Sequence, residues 1–567
     1  MIDKNTKHEE ILQNILDTSI QENKKLKSTT KHILQVTNES NKNKQISRYI
    51  QALDNKTKVL IILSSSFKAH ELKKQINRKD KNKAISICNK TPKLINDLDK
   101  KQVIIVTQDN YIANTYNDYS KKRDLIIIDD SISLFKDFQI KNQDLKNLKN
   151  LVDSICKEDK KAFQNIKNEY DILNKFIFIS NGIHIEISND KKKKAFLIDD
   201  TKSIKSSKFL KLRKIIKDNN CSSILLEVAC NKSKEKDFKK ILLTHLDTIE
   251  LISKNWFYYY SENSTVQNST LNVIESKLPN KSLVILSTTA NINHTYQLLD
   301  DTILYDDKFP TNKNIDLCIN KTVDTNINSI LQNPYQNANI LLTTLEKNIS
   351  KDTKTLIITH EKLISYFLDF KTTYNYEVLS FEDMKDTNSL EEFDNIVIYS
   401  TPKENQTAYI NQHCLCATNL EQIEDITTTN KLEDTIIASK IIDIINKTKD
   451  LKVTIYFTLG TDKKSKILDY IQDSIKNIKT KNWAIPKKQK TTLKKISWTN
   501  SIISYLKSNI KQTKDLTPVE VMKNVNVPKS TFNKLCAKEE FQNKLKENKI
   551  ELRLPNDSKR GKIFYTI

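Results

Sequence analysis

The chain has 567 residues, 38% of them hydrophobic and 29% charged, which is too long for one core and apolar enough to fill two or three. Its longest apolar runs, at 125–128 and 284–286, fall far short of the roughly 20 residues that cross a bilayer, and the N-terminal stretch is polar and charged, so neither secretion nor membrane anchoring is expected. A formal charge of +23, spread along the whole sequence, points to a polyphosphate partner.

The eight cysteines at 88, 156, 221, 230, 318, 414, 416 and 536 form no CxxC pair, which predicts reduced thiols in a cytoplasm. His413-Cys414-Leu415-Cys416 is a cluster without a second ligand pair and reads as ordinary core or surface. Only three glycines occur, Gly182, Gly460 and Gly561, and arginine is scarce. A shortage on that scale acts on every loop alike.

In chain order, a basic segment (Gln21-Glu22-Asn23-Lys24-Lys25-Leu26-Lys27-Ser28-Thr29-Thr30) leads into a helical stretch. Apolar, β-branched runs follow at 59–63, 103–106 and 125–128, each bounded by polar residues and trailed by a helical pattern. That alternation predicts parallel strands buried on both faces. Residues 136–280 are lysine-rich and read mostly as helices, with strand-like stretches at 176–187 and 256–260. Further strands are predicted at 283–286, 355–358, 395–399 and 453–457, and the basic stretch 476–498 reads as a linker. Beyond it, helices are predicted at 501–508, 517–524 and 529–538 and strands at 550–554 and 562–567, the element order of a winged helix. Lys529, Lys559 and Arg560 are its candidate DNA contacts.

The fold class expected is therefore α/β. Residues 1–135 with 281–300 form one parallel-sheet domain, 136–280 a mostly helical insertion, 301–475 a second parallel-sheet domain, and 499–567 a winged-helix-like module.

Chemistry concentrates at strand ends. The strand Leu125-Ile126-Ile127-Ile128 runs into Asp129-Asp130, where a first carboxylate can hold Mg²⁺ and a second can polarise water beside a phosphate. The run Leu283-Val284-Ile285-Leu286 ends in Ser287-Thr288-Thr289. Together these resemble motifs II and III of the DEAD/DEAH-like helicases of superfamily 2. Lys58 to Glu71, with Ser65 and Ser66, resembles motif Ia, and Thr107 ends the next strand at a similar post. Lys354 to His360, with Thr359, resembles motif IV. Phe393 to Pro402, with Thr401, resembles motif V, for which helicases of plasmids and phages often carry Gly-Thr-Pro.

The resemblance implies two RecA-like domains, ATP and Mg²⁺ as cofactors, and DNA, single-stranded or duplex, as partner, with replication proteins nearby. It also implies roles. Leu26, Lys27, Ser28 and Thr29 match a phosphate-binding loop without its glycines, Lys27 reaching phosphates and Ser28 sharing Mg²⁺ with Asp129. Asp130 activates water, Ser287, Thr288 and Thr289 couple nucleotide to DNA, and Ser65, Ser66, Thr107, Thr359 and Thr401 touch the nucleic-acid backbone. In motif VI, Lys440 stands where the first arginine belongs and Asp443 where the second does. Loss of an arginine finger can cost about 10³ to 10⁵ in rate. Two readings follow: an ATP-dependent helicase or translocase in replication of a plasmid, phage or similar element, and a degenerate helicase-like DNA-binding protein without ATP turnover.

Overall fold

The computed structural model describes residues 4–26, 28–36, 39–80, 82–88, 98–113, 119–129, 134–158, 160–189, 195–198, 209–218, 235–252, 257–261, 269–305, 311–368, 370–385, 387, 389–416, 426–449, 452–460, 465–486, 498–510, 516–525, 527, 529–553 and 563–566. Two compact units emerge. One holds Met1–Phe309, Lys403–Asp443 and Lys466–Ile471, the other Pro310–Pro402, Ile444–Ser465 and Gln472–Ile567.

The first unit opens with α1 (Lys4–Gln21), β1 (Lys31–Gln35), α2 (Glu39–Ala52), β2 (Val59–Leu63), α3 (Ser66–Ile76), β3 (Ala84–Ile87), β4 (Val103–Thr107), α4 (Gln108–Ala113) and β5 (Leu125–Asp129). After an insertion come β10 (Leu283–Ser287), α9 (His294–Leu298) and β11 (Thr302–Tyr305). These strands make one sheet in the order β11-β1-β10-β5-β2-β4-β3, with every pairing parallel.

Alternation decides which face each residue meets. Val59, Ile61, Leu63, Ile105 and Ile127 pack on one side of the sheet, and Leu60, Ile62, Ile104, Ile126 and Ile128 on the other. Both sides are covered, so uninterrupted apolar runs were required, each buried side chain contributing about 1.5–3 kcal/mol. The sheet extends to β11, past the boundary expected at residue 300.

Between β5 and β10, β6 (Phe135–Lys141), α5 (Asn142–Glu158), α6 (Lys160–Asn189), β7 (Ala195–Ile198), α7 (Leu210–Asp218), α8 (Glu235–Ile252), β8 (Phe257–Tyr260) and β9 (Thr270–Ser276) build the insertion. Its strands form an antiparallel sheet, β6-β9-β8-β7, with the helices packed on one face. Residues 176–187, expected to be strand-like, lie inside the 30-residue α6. Ile172, Leu173, Phe176 and Ser180 are buried there at helical spacing, so tertiary packing overrides β-branched propensity. Tyr259 joins the insertion core, whereas Tyr258 and Tyr260 face α13 (Gln406–Cys416), a helix of the 403–443 segment. That segment, expected in the second lobe, packs in the first unit and also carries α14 (Ile426–Asn446) up to Asp443.

The second unit has β12 (Thr311–Asn320), β13 (Lys354–Thr359), β14 (Asn375–Ser380), β15 (Asn395–Ile398), β16 (Val453–Thr458) and β17 (Ile475–Asn482) in a parallel sheet ordered β14-β13-β15-β16-β12-β17. Thus the stretch read as a linker from 476 begins as an edge strand, its lysines 476, 479 and 481 exposed, as suits a sheet edge that must resist further pairing.

Among its described residues the C-terminal part contains four helices, α16 (Trp498–Ile510), α17 (Pro518–Val525), α18 (Lys529–Cys536) and α19 (Glu539–Glu547), and a hairpin of β18 (Ile550–Arg553) and β19 (Ile563–Thr566) around its own core. That is one helix more than expected. Among the described residues no helix is long and apolar enough to cross a membrane.

Candidate nucleotide and nucleic-acid site

Because β1, β10, β5, β2 and β4 run parallel, their last residues (Gln35, Ser287, Asp129, Leu63 and Thr107) share the carboxyl edge of the first sheet. Ligands of open α/β sheets gather at this edge. In register, Gln35 stands opposite Ser287 and Leu286 opposite Asp129. Val36 N donates to Ser287 O at 3.0 Å, and α2 begins at Glu39.

Lys42, in the first turns of α2, forms an ion pair with Asp129 at the end of β5, and each side chain is only 1% exposed. An isolated charge at such a depth would be expelled or neutralised. The pair persists because each group removes the other's desolvation penalty. Around it, α2 presents the first backbone amides of a helix, a positive end suited to anions.

Ser287, Thr288 and Thr289, the expected coupling residues, lie on the same edge. Thr289 N donates to Ser287 Oγ at 3.3 Å, and the Ser287 and Thr289 hydroxyls are 3.4 Å apart. Thr288 Oγ1 donates to Asp443 Oδ1 of α14. Two strands along, Ser65 caps α3, its side chain accepting from Lys68 N at 3.2 Å, and Ser66 opens that helix. Thr107 Oγ1 accepts from Asn110 Nδ2 at 2.6 Å.

The predicted phosphate loop is elsewhere. Leu26 closes a π-helical turn (Glu22–Leu26), and Ser28 and Thr29 precede β1 at the amino edge of the sheet. Ser28 Oγ bonds Thr30 Oγ1 at 2.6 Å, and Thr29 Oγ1 donates to Asp301 Oδ2 at 2.8 Å. Five strand residues at about 3.3 Å each separate this edge from Asp129, so Ser28 and Asp129 cannot share a cation. Lys27 and Asp130 lie outside the described residues. Beside this segment, buried His32 donates from Nε2 to Glu22 Oε2 at 2.8 Å and meets Tyr305 Oη through Nδ1 at 2.9 Å, a structural tie across the amino edge.

From Val36 into α2 the sequence runs Val36-Thr37-Asn38-Glu39-Ser40-Asn41-Lys42-Asn43, in which four residues separate Val36 from Asn41-Lys42-Asn43. That is the GxxxxGK[ST] spacing with both glycines and the hydroxyl replaced. An Asn43 amide oxygen is the kind of group that can ligate a hard cation. Sequence reasoning missed it because its preceding strand offers just Ile33 and Leu34 as an apolar signal.

On the carboxyl edge of the second sheet, Thr359 is fully buried at the end of β13 with its hydroxyl unpartnered. His360 Nε2 donates to Thr401 O at 3.1 Å, and Thr401 Oγ1 donates to Thr325 Oγ1 at 2.9 Å. Ser400 takes φ 74, the left-handed region, while its N donates to Thr458 Oγ1 at 2.8 Å. Here the serine adopts the backbone a glycine would supply in Gly-Thr-Pro. Gly460 (φ 90) keeps this edge open, since a Cβ there would stand 2.7 Å from Thr325 Oγ1.

Lys440 is ion-paired to Glu404 at 2.5 Å, both within the first unit. Lys529 is exposed at the start of α18, and Lys559 and Arg560 lie outside the described residues. His413, Cys414 and Cys416 sit buried on α13, where desolvation raises both thiols, that of Cys416 to about 12. Among the described residues no group of three or more His, Cys, Asp or Glu is placed to hold a metal.

Neither a protein-family model nor a curated protein sequence matches the chain. Solved structures do. S. tokodaii Xpd4 is 14% identical, with 82% of this chain and 98% of that one covered at a TM-score of 0.45. An apo XPD structure is 13% identical, with 83% and 100% covered at 0.47. S. cerevisiae Dbp5 bound to RNA and ADP BeF3 is 9% identical, with 80% and 85% covered at 0.33. The two parallel sheets stand on their own strand order and registers.

Proposed function

We propose that this chain is an ATP-dependent helicase or translocase of the superfamily 2 type, acting on DNA in the cytoplasm during replication of a plasmid, phage or similar element. The buried Lys42–Asp129 pair at the carboxyl edge carries the reading. An ammonium and a carboxylate that neutralise each other there are a fit for a ligand bearing both charges, a polyphosphate for Lys42 and a divalent cation for Asp129. Lys42, the first amides of α2 and Asn43 would hold ATP, and Asp129 the Mg²⁺. Bound ATP supplies a phosphoanhydride whose cleavage releases free energy.

The remaining roles belong to this chain's own side chains. Asp130, next after Asp129, orients water. Ser287, Thr288 and Thr289 link the nucleotide edge to the DNA-binding edge. Ser65, Ser66, Thr107, Thr359 and Thr401 offer hydroxyls and neighbouring amides to a phosphate backbone, while Lys529, Lys559 and Arg560 extend the contact from a winged-helix-like module.

One observation favours the second reading, a DNA-binding protein without turnover: Lys440 is engaged by Glu404 and an aspartate stands at 443, so neither position offers a guanidinium. Turnover of ATP by the full chain with single-stranded and duplex DNA separates the two. DNA-stimulated hydrolysis that disappears in Asp129→Asn supports the motor, and Mg²⁺-dependent ATP binding without hydrolysis supports the binder. DNA affinity that stays flat between low and physiological salt removes both.

A further inference from the structure

Asp443 was expected at the post of a transition-state arginine, a role a carboxylate cannot fill, yet it is built into the nucleotide edge. Its Oδ1 accepts the Thr288 hydroxyl. Thr288 O in turn accepts from Gln35 Nε2 at 3.5 Å, and Ser287 O accepts from Val36 N at 3.0 Å. Those two bonds join the end of β1 to the end of β10.

The helix bearing Asp443 is itself pinned. His294 N, at the start of α9, donates to Thr435 Oγ1 at 3.2 Å. On the preceding helix, Asn411 Oδ1 accepts from buried Tyr258 Oη at 2.5 Å, while Ile410 and Cys414 pack on Tyr258, Tyr260 and Ile274 of the insertion sheet. The 403–443 segment thus touches the insertion at one end and the nucleotide edge at the other.

We infer that Asp443 is a positioning residue for nucleotide turnover: through Thr288 it holds the end of β10, and with it the end of β1, on the carboxyl edge that carries the Lys42–Asp129 pair. The inference rests on the proposed ATPase reading.

The test is steady-state ATP turnover by the full chain with saturating DNA, comparing wild type with Asp443→Ala, Asp443→Asn, Thr288→Val, Thr288→Ser and the Asp443→Ala/Thr288→Val double variant. A hydrogen bond to a charged acceptor predicts a kcat loss of about tenfold or more in Asp443→Ala, with KM for ATP held within about twofold. An amide oxygen still accepts the Thr288 hydroxyl, so Asp443→Asn recovers activity to within about threefold of wild type, as Thr288→Ser does for Thr288→Val. The double variant is no worse than either single one. Additive losses, or an asparagine variant as poor as alanine, overturn the positioning role while leaving the ATPase reading intact. A wild type that binds DNA and turns over no ATP overturns both.

Discussion

Consider Lys42→Met. Both members of the Lys42–Asp129 pair are 1% exposed, so solvent screening takes little from their interaction, and deleting one partner strands the other in the sheet edge. Breaking a buried pair costs about 3–5 kcal/mol, whereas replacing both members by apolar groups of similar volume is often close to neutral. Lys42→Met and Asp129→Leu should each raise the opening constant of the β5 and α2 amides by about two to three and a half decades, since each 1.4 kcal/mol is tenfold. The double replacement should return most of that protection. Native-state amide hydrogen exchange on peptides covering 39–52 and 125–129 reads this locally, which matters in a chain with several cores that does not unfold in one step. Exchange in the single variants within about threefold of wild type, or losses that simply add in the double variant, would refute the buried pair as the organiser of this edge.

The second sheet makes two further predictions. Ser400 sits at φ 74, where a non-glycine residue is strained by about 1–2 kcal/mol, and its buried hydroxyl is unpartnered. Ser400→Gly should leave exchange protection of β15 unchanged or up to about tenfold higher, the offset being glycine's greater unfolded-state freedom. Ser400→Val, β-branched in the same region, should lower it at least tenfold. Asp394 is held below the usual carboxylate range by its bond to Lys449 Nζ at 2.5 Å and by the Lys354 amide at 3.0 Å. A depressed folded-state pKa means stability that is present above the unfolded value of about 4 and lost as pH falls through the lower folded value. Protection of β13 and β15 should therefore fall on acidification below about pH 4 in wild type and less steeply in Asp394→Asn, read by exchange across a pH series.

How legible the chain was depended on how many apolar residues each strand carried. The strands β2, β4, β5 and β10 have four or five consecutive apolar residues, and all stand within a residue or so of their predicted places. In β1, by contrast, Lys31, His32 and Gln35 surround Ile33 and Leu34, because its ends lie at polar edges where His32 bonds Glu22 and Gln35 approaches Thr288. Without that strand in the sequence pattern, Leu26 to Thr29 is the segment that matches a phosphate-binding loop, and the glycine-free spacing from Val36 to Lys42 gives no signal of its own. The lysines of β17 read as a linker since an edge strand exposes most of its residues. Asp129, Ser287 and Thr288 were found at the edge because a carboxylate or hydroxyl directly after a buried strand is a signal independent of glycine. The 403–443 segment carried no such cue. Its attachment to the first unit comes from Tyr258, Thr435 and Asp443, contacts between residues far apart in sequence.

The most direct measurement sets one lysine against the other. Titrating a fluorescent ATP analogue with Mg²⁺ into wild type, Lys42→Gln and Lys27→Gln should give saturable binding to wild type and Lys27→Gln alike, and an affinity at least about tenfold weaker in Lys42→Gln. Retained binding in Lys42→Gln together with loss in Lys27→Gln would contradict a nucleotide site at the carboxyl edge, as would a wild type with no Mg²⁺-dependent binding.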